Sequence, residues 1–216
     1  MFIVAHPDDE AIGCGGTIFK HKKNKDEVHL LYMTDGIASR DDSRKAKKQR
    51  NSGFQKAIEL IEPHSFECLE LPDNQLDTLP LLEIVKKIEN HINDIKPEII
   101  YTHSENDLNI DHQLVSKSVM TATRPSCCNY VKEIYSFYIN SSSEWSFNEK
   151  CFNTNHFVDI TEFIKQKENL LNAYSDEMKD NFHPRTVDNI INFARVNGNT
   201  IGVEYAEIFS SRRVIK

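Results

Sequence analysis

The chain lacks any apolar run near the ~20 residues that a bilayer-spanning helix needs, and its first residues carry neither the charged nor the apolar region of a signal peptide. Membrane insertion is not expected, and the reading is a cytoplasmic protein. Basic residues interleaved with aromatics are also missing. Lys and Arg number 26 against 33 Asp and Glu, a net charge of −7, and the runs Lys20–Lys25 and Lys45–Arg50 read as solvated helix faces. Phosphate neutralisation needs Lys and Arg gathered on one face, so no nucleic-acid partner is expected. The five cysteines, Cys14, Cys68, Cys127, Cys128 and Cys151, are odd in number and form no C-x-x-C. Neither a disulfide framework nor a thiolate zinc site is indicated. No repeat or low-complexity segment interrupts the 216 residues, a length within the range of one domain and sufficient for a substantial core.

What the chain does have is a dense acidic turn at its start. Phe2-Ile3-Val4-Ala5 reads as a short buried strand and Thr17-Ile18-Phe19-Lys20 as helix, which leaves His6-Pro7-Asp8-Asp9-Glu10 and the glycines 13, 15 and 16 on the turn between. Glycines there suggest a phosphate cradle, but three acids would repel an anion. The turn is built for a cation. Pro7 biases His6 toward an extended conformation and separates its imidazole from the acids that follow. His6 and one Asp can then converge on a metal while the neighbouring Asp stays free to take a proton. The competing reading is a solvated acidic turn that caps a helix.

The rest alternates strands and helices. Val28–Met33 reads as a buried strand ending in Thr34-Asp35-Gly36, a polar turn that could line the same pocket. A charged loop from Ile37 to Lys48, a lid on one reading, feeds a helix marked by Phe54, Ala57, Ile58 and Ile61. Phe66–Leu71 is a strand broken by Pro72-Asp73-Asn74, and Leu81, Ile84, Val85, Ile88, Ile92 and Ile95 form one face of a helix stopped at Lys96-Pro97. Glu98–Thr102 is a strand running into the ligand-rich loop from His103 to His112. Strands follow at Glu133–Ile139 and His156–Ile160. Thr161 opens a helix, and a last helix is ended by Gly198, with Phe182-His183-Pro184-Arg185 between the two. This is the pattern of a mainly parallel α/β sheet, whose loops meet at the strands' C-terminal edge. His112 stands at a helix start beside Asp111, which could serve as its carboxylate partner. His183 and Arg185 could reach an anionic or sugar group.

Two His and one carboxylate leave a coordination position open, as in catalytic zinc sites. A bound water of lowered pKa, a polarised carbonyl and a spare carboxylate to move the proton make amide hydrolysis the inferred class. The same set also fits the facial triad of non-haem iron(II) oxygenases, but alternating strands and helices and the spare Asp favour hydrolysis. A silent metal-binding or ligand-binding accessory protein would show loss of Asp8 or of a ligand, and neither is missing.

The stretch Ala5-His6-Pro7-Asp8-Asp9-Glu10 with its glycines, Thr34-Asp35-Gly36, Leu71-Pro72-Asp73, Asp111-His112, Phe182-His183-Pro184-Arg185 and Tyr205-Ala206-Glu207-Ile208-Phe209 together resemble the LmbE-like (PIG-L-like) zinc-dependent de-N-acetylases. The resemblance implies one domain over residues 1–216, with a Rossmann-like three-layer α/β sandwich and the site at the C-terminal edge of the sheet. It implies removal of an N-acetyl group from an amino sugar or conjugate. Carried across, it makes His6, Asp9 and His112 ligands of Zn2+ or another divalent transition metal, Asp8 the general base and Asp111 a support for the metal ligands. Some relatives carry a His that aids the tetrahedral intermediate where Asn109 stands here, so His103 or His183 would take that role, or zinc alone would suffice. Asp35, Arg50, Asp73, Asn109 and Arg185 are the candidates for substrate contact, although Gly53 stands where relatives follow Arg50 with a Glu. The implied partner is a small N-acetylated sugar, and a homo-oligomer is left open.

Overall fold

One strand with two apolar faces sets the architecture. Phe2 and Val4 of β1 (Phe2–Val4) join one buried cluster, while Ile3, with Ala5 just beyond the strand, joins another. Opposite projection of successive residues requires a covering layer on each side. The computed structural model describes residues 1–36, 44–126, 128–145 and 151–216, with residues 44–49 as backbone only. On the first face lie α1 (Asp9–Lys23), α2 (Arg44–Ile61), α5 (Ile164–Ala173) and α6 (Val187–Ile201). The second face is covered by α3 (Leu81–Ile95) and α4 (Ile110–Ala122). The three layers are those expected. Each fully buried Leu, Ile, Val or Phe contributes about 1.5–3 kcal/mol.

The sheet between them has the order β3-β2-β1-β4-β5-β7-β6 among the described residues. β2 (His29–Thr34), β3 (Ser65–Leu71), β4 (Ile99–Thr102) and β5 (Glu133–Phe137) run parallel with β1. β7 (Ala206–Val214) pairs antiparallel with both β5 and β6 (His156–Asp159). Successive connections run outward from β1 through β2 to β3, then cross to β4 and β5. The crevice where this direction reverses lies beyond the C-terminal ends of β1 and β4. His6 and His103 stand there, about a hundred residues apart in sequence.

Several boundaries differ from expectation. Helix α1 starts at Asp9, so the glycines lie inside it rather than on a loop. A Cβ on Gly13 would meet Phe137 at 2.7 Å and one on Gly16 would meet Ile160 at 2.7 Å. They are glycines because neighbouring side chains pack on the helix backbone. Likewise Gly198 does not end the last helix, which runs to Ile201 with Gly202 as its left-handed cap (φ 82°). A Cβ on Gly198 would lie 2.7 Å from the Tyr205 backbone, so this glycine serves a close crossing. Thr161 opens a single 3-10 turn, Thr161–Phe163, before α5 begins. Of the loop expected over Ile37–Lys48, residues 37–43 lie outside the described residues, as does Cys127, and 44–48 begin α2. No described helix is long and apolar enough to cross a membrane.

Candidate active site

Between β1 and α1 the chain turns within four residues. Asp8 sits at φ 109°, ψ −28°, a left-handed conformation that costs a residue with a Cβ about 1–3 kcal/mol. Local bonds hold it there. The Asp8 N–H donates to Glu10 Oε2 at 3.1 Å, and the Asp8 carbonyl accepts from Ala11 and Ile12, both at 3.0 Å. The turn sends the two carboxylates apart. Asp8 lines an open cavity of about 340 Å³ together with His6 and His112, while Asp9 points inward and is 1% exposed.

Oδ2 of Asp9 is the hub of the inner cluster. It accepts from the His6 N–H at 2.9 Å and faces His6 Nδ1 at 3.2 Å, His103 Nε2 at 3.3 Å and His112 Nε2 at 3.4 Å. Burial would raise its carboxyl, but His112 and His103 outweigh that and hold it well below the usual range. His6 Nδ1 and His112 Nε2 are themselves 3.3 Å apart. The three atoms therefore form a triangle with edges of 3.2, 3.3 and 3.4 Å. A tetrahedral zinc with ligand bonds of about 2.0–2.1 Å has ligand-to-ligand edges of about 3.3–3.4 Å. The donor set fits a small divalent cation.

Each histidine of the triangle has its own carboxylate behind it. His6 Nε2 lies 3.2 Å from Asp111 Oδ2, and Asp111 also accepts from the Asn74 N–H at 2.7 Å and the Leu76 N–H at 3.1 Å. His112 Nδ1 lies 3.0 Å from Asp107 Oδ1, an ion-pair contact without an aligned hydrogen bond. Here the structure departs from the expected pairing of Asp111 with His112. Adjacent residues on a helix do not face each other, so Asp111 turns to His6. Asp107, on the loop before α4, takes the place behind His112. Burial would raise the Asp107 carboxyl, but His112, Ser143 and the Asn109 N–H lower it to about 2. Ser142 and Ser143 both donate to its Oδ2, at 2.9 and 2.6 Å.

The other anticipated residues fall into three groups. Asp73 and Arg185 line the cavity. Asp73 Oδ1 is 3.3 Å from His6 Nε2, and Arg185 Nη1 donates to Asp8 Oδ2 at 3.2 Å. Arg50 also lines it, held by Glu177 and by the Pro7 carbonyl at 3.3 Å. His183 lines the cavity as well. Asn109 is the N-cap of α4, its Oδ1 accepting from the Asp111 and His112 N–H groups at 2.8 and 3.4 Å. The third group stands off the cavity. His103 is fully buried, accepts from the Ala5 N–H at 2.8 Å and stacks on His112 with ring centroids 4.0 Å apart. Burial, then His112, lowers its imidazolium to about 4. Asp35 is half-buried on the turn after β2, and its neighbour Gly36 reaches the cavity instead.

Burial raises the Asp8 carboxyl above the usual range, aided by Asp9 and Glu177 and opposed by Arg185 and Arg50. Glu10, not singled out in the sequence, is fully buried beside it and accepts from the Tyr174 hydroxyl at 2.6 Å. Burial lifts its carboxyl to about 8. Asp107 lay in a loop already read as ligand-rich, and only its spacing of five before His112 could have marked it. Nothing in the sequence points to Ser142, Ser143 or Glu177.

The family model described as PIG-L, GlcNAc-PI de-N-acetylase, matches residues 1–123. Among solved structures, the conserved protein TT1542 from Thermus thermophilus superposes with a TM-score of 0.80 at 24% identity, covering 100% of this chain and 95% of that one. N,N'-diacetylchitobiose deacetylase from Pyrococcus horikoshii, bound to its inhibitor MPG, gives 0.78 at 22% identity over 98% and 82%. GalB, the 4-carboxy-2-hydroxymuconate hydratase from Pseudomonas putida, gives 0.76 at 18% identity over 100% and 97%. A deacetylase and a hydratase share this fold, so the reaction must be argued from the site.

Proposed function

The chain belongs to the PIG-L family, and on that premise we propose that it is a metal-dependent hydrolase that removes the N-acetyl group of an amino sugar or its conjugate, releasing acetate and a free amine. The observation that carries the reading is the triangle of His6 Nδ1, Asp9 Oδ2 and His112 Nε2, with edges of 3.2–3.4 Å, beside the raised carboxyl of Asp8. His6, Asp9 and His112 would hold the ion, Zn2+ or another divalent transition metal. When bound, such an ion polarises a carbonyl and brings a coordinated water near neutrality.

The protein's own groups do the rest. Asp111 faces His6 Nε2 and Asp107 faces His112 Nδ1, which keeps the proton of each ring on that nitrogen and leaves the two nitrogens of the triangle their lone pairs. Asp8 accepts the proton of the attacking water and returns it to the departing amine. That task suits a carboxyl that burial raises above the usual carboxylate range. Arg185 holds the Asp8 carboxylate from the cavity side. Asp73, Asn74 and Arg50 present polar atoms around the cavity, as a sugar requires. A small N-acetylated sugar is the partner. A non-haem iron oxygenase is not favoured, because it has no use for Asp8 and its partners.

Amine release from a panel of N-acetylated amino sugars, with metal content measured on the same sample, tests the reading. Turnover of at least one amide that a chelator abolishes and a divalent ion restores is expected. Oxygen consumption with 2-oxo acids and no amine release would overturn it.

A further inference from the structure

Resting on the de-N-acetylase reading, we infer that His183 is the donor that stabilises the carbonyl oxygen of the acetyl group as it turns into an oxyanion, and that its backbone surroundings select the tautomer needed. The Arg185 N–H donates to His183 Nδ1 at 3.1 Å. A nitrogen that accepts a hydrogen bond carries no proton, so the ring's proton resides on Nε2. That edge is uncommitted: among the described residues no hydrogen-bond partner of Nε2 is found, and the side chain lines the cavity shared by His6, Asp8 and His112.

The ring cannot turn away easily, because its backbone is held twice. The His183 carbonyl accepts from the Thr186 N–H at 3.1 Å and from Asn189 Nδ2 at 2.8 Å. Pro184 follows directly and stiffens the turn, and Thr186 caps α6. A neutral imidazole presented on a rigid turn is a preorganised donor.

Two uncharged rivals are spoken for. His103 lies off the cavity, and its Nε2 is the acceptor of the Ala5 N–H. Asn109 uses its carbonyl oxygen to cap α4, and its amide donates to Asn74 Oδ1 at 3.1 Å. Arg185 reaches Asp8 through Nη1 and Arg50 is anchored on Glu177 and Pro7, yet among the described residues the Nε of each has no hydrogen-bond partner, and Lys179 also lines the cavity. These cations are the donors from which the His183 variants must distinguish the ring. His183 neither gains nor loses a proton in this role. It donates one hydrogen bond that strengthens as charge builds on the oxygen.

The test compares wild type, His183→Ala and His183→Gln, each loaded with Zn2+, on N-acetylglucosamine and its N-trifluoroacetyl counterpart, reading amine release. His183→Ala should lower kcat by the ~10²–10³ typical of a lost oxyanion donor with KM little changed. His183→Gln, which keeps an N–H donor, should recover part of it. The deficit should shrink on the trifluoroacetyl amide, whose fluorines stabilise the oxyanion themselves. Metal content and melting temperature should match wild type. Wild-type kcat in His183→Ala, or a loss confined to KM, would overturn the role. Independently of turnover, ¹⁵N shifts of the His183 ring must show a protonated Nε2, and a protonated Nδ1 ends the proposal. Absence of amine release by the loaded wild type would instead sink the de-N-acetylase reading, and this role with it.

Discussion

Nε2 of His112 stands 3.3 Å from Nδ1 of His6, and both nitrogens face the same oxygen, Oδ2 of Asp9. Three electron-rich atoms this close repel unless something positive lies among them. In the metal-free protein that charge is protons. Burial would lower both imidazoliums, but Asp111, Asp9 and Asp73 raise His6 to about 10, and Asp9 and Asp107 raise His112 to about 9.

Metal removal should therefore give the protein a pH-dependent stability that the loaded form lacks. An imidazole whose folded pKa exceeds its unfolded value of about 6.5 adds stability in full below the latter and loses it as pH rises through the former. The chelated protein should lose melting temperature as pH climbs from about 6.5 to about 10, the interval between the unfolded and folded values of the two imidazoles. With metal bound the rings are neutral ligands and this fall should vanish. At pH 7, uptake of the ion should release protons, read by calorimetry in buffers of different ionisation enthalpy. Uptake without proton release would contradict the exchange.

The tandem acids should separate cleanly. Asp9→Ala removes the oxygen common to three imidazoles and should abolish metal retention. Asp8→Asn leaves that triangle intact and should keep the metal while losing the ~10²–10⁴ in kcat that a general base supplies. Elemental analysis and amine release on both variants decide it, and loss of metal from Asp8→Asn would refute the division of roles.

Asp107→Asn and Asp111→Asn should each cost ~10–100-fold in metal affinity or activity, because each carboxylate fixes the tautomer of one ligand histidine. Competition against a chelating dye measures both. If Asp107→Asn binds as wild type does, the contact of 3.0 Å with His112 is incidental.

What could be read ahead of the coordinates follows chain-local physics. The buried runs of β1, β2 and β4, and the face of α3 formed by Ile84, Val85, Ile88 and Ile92, carry their own periodicity, so the parallel sheet and its functional edge were legible. β7 was not singled out as a strand: its first five residues are buried, but Glu207 among them and the polar stretch Ser210-Ser211-Arg212-Arg213 leave no apolar run to read. Pairings behind the metal ligands were illegible for another reason. Whether Asp107 or Asp111 backs His112 depends on how α4 is rotated against β1, and sequence proximity favoured the wrong neighbour.

Glu207 illustrates a motif whose role only the packing reveals. Lys167 and Glu207 are 1% and 4% exposed and form an ion pair at 2.6 Å against α1. Lys167 Nζ donates to the carbonyls of Ala11 and Ile12 at 3.0 and 2.7 Å, while Glu207 accepts from the Gly16 and Thr17 N–H groups at 2.9 and 2.8 Å. The pair clamps the helix one to two turns beyond Asp8 and Asp9. Removing either partner leaves an uncompensated buried charge, so Lys167→Met and Glu207→Gln should each lose about 3–5 kcal/mol by urea denaturation. The double variant should lose less than the two singles added together, because the second substitution removes the charge stranded by the first. Strict additivity would mean that the two groups act on α1 separately, and the clamp would have to be abandoned.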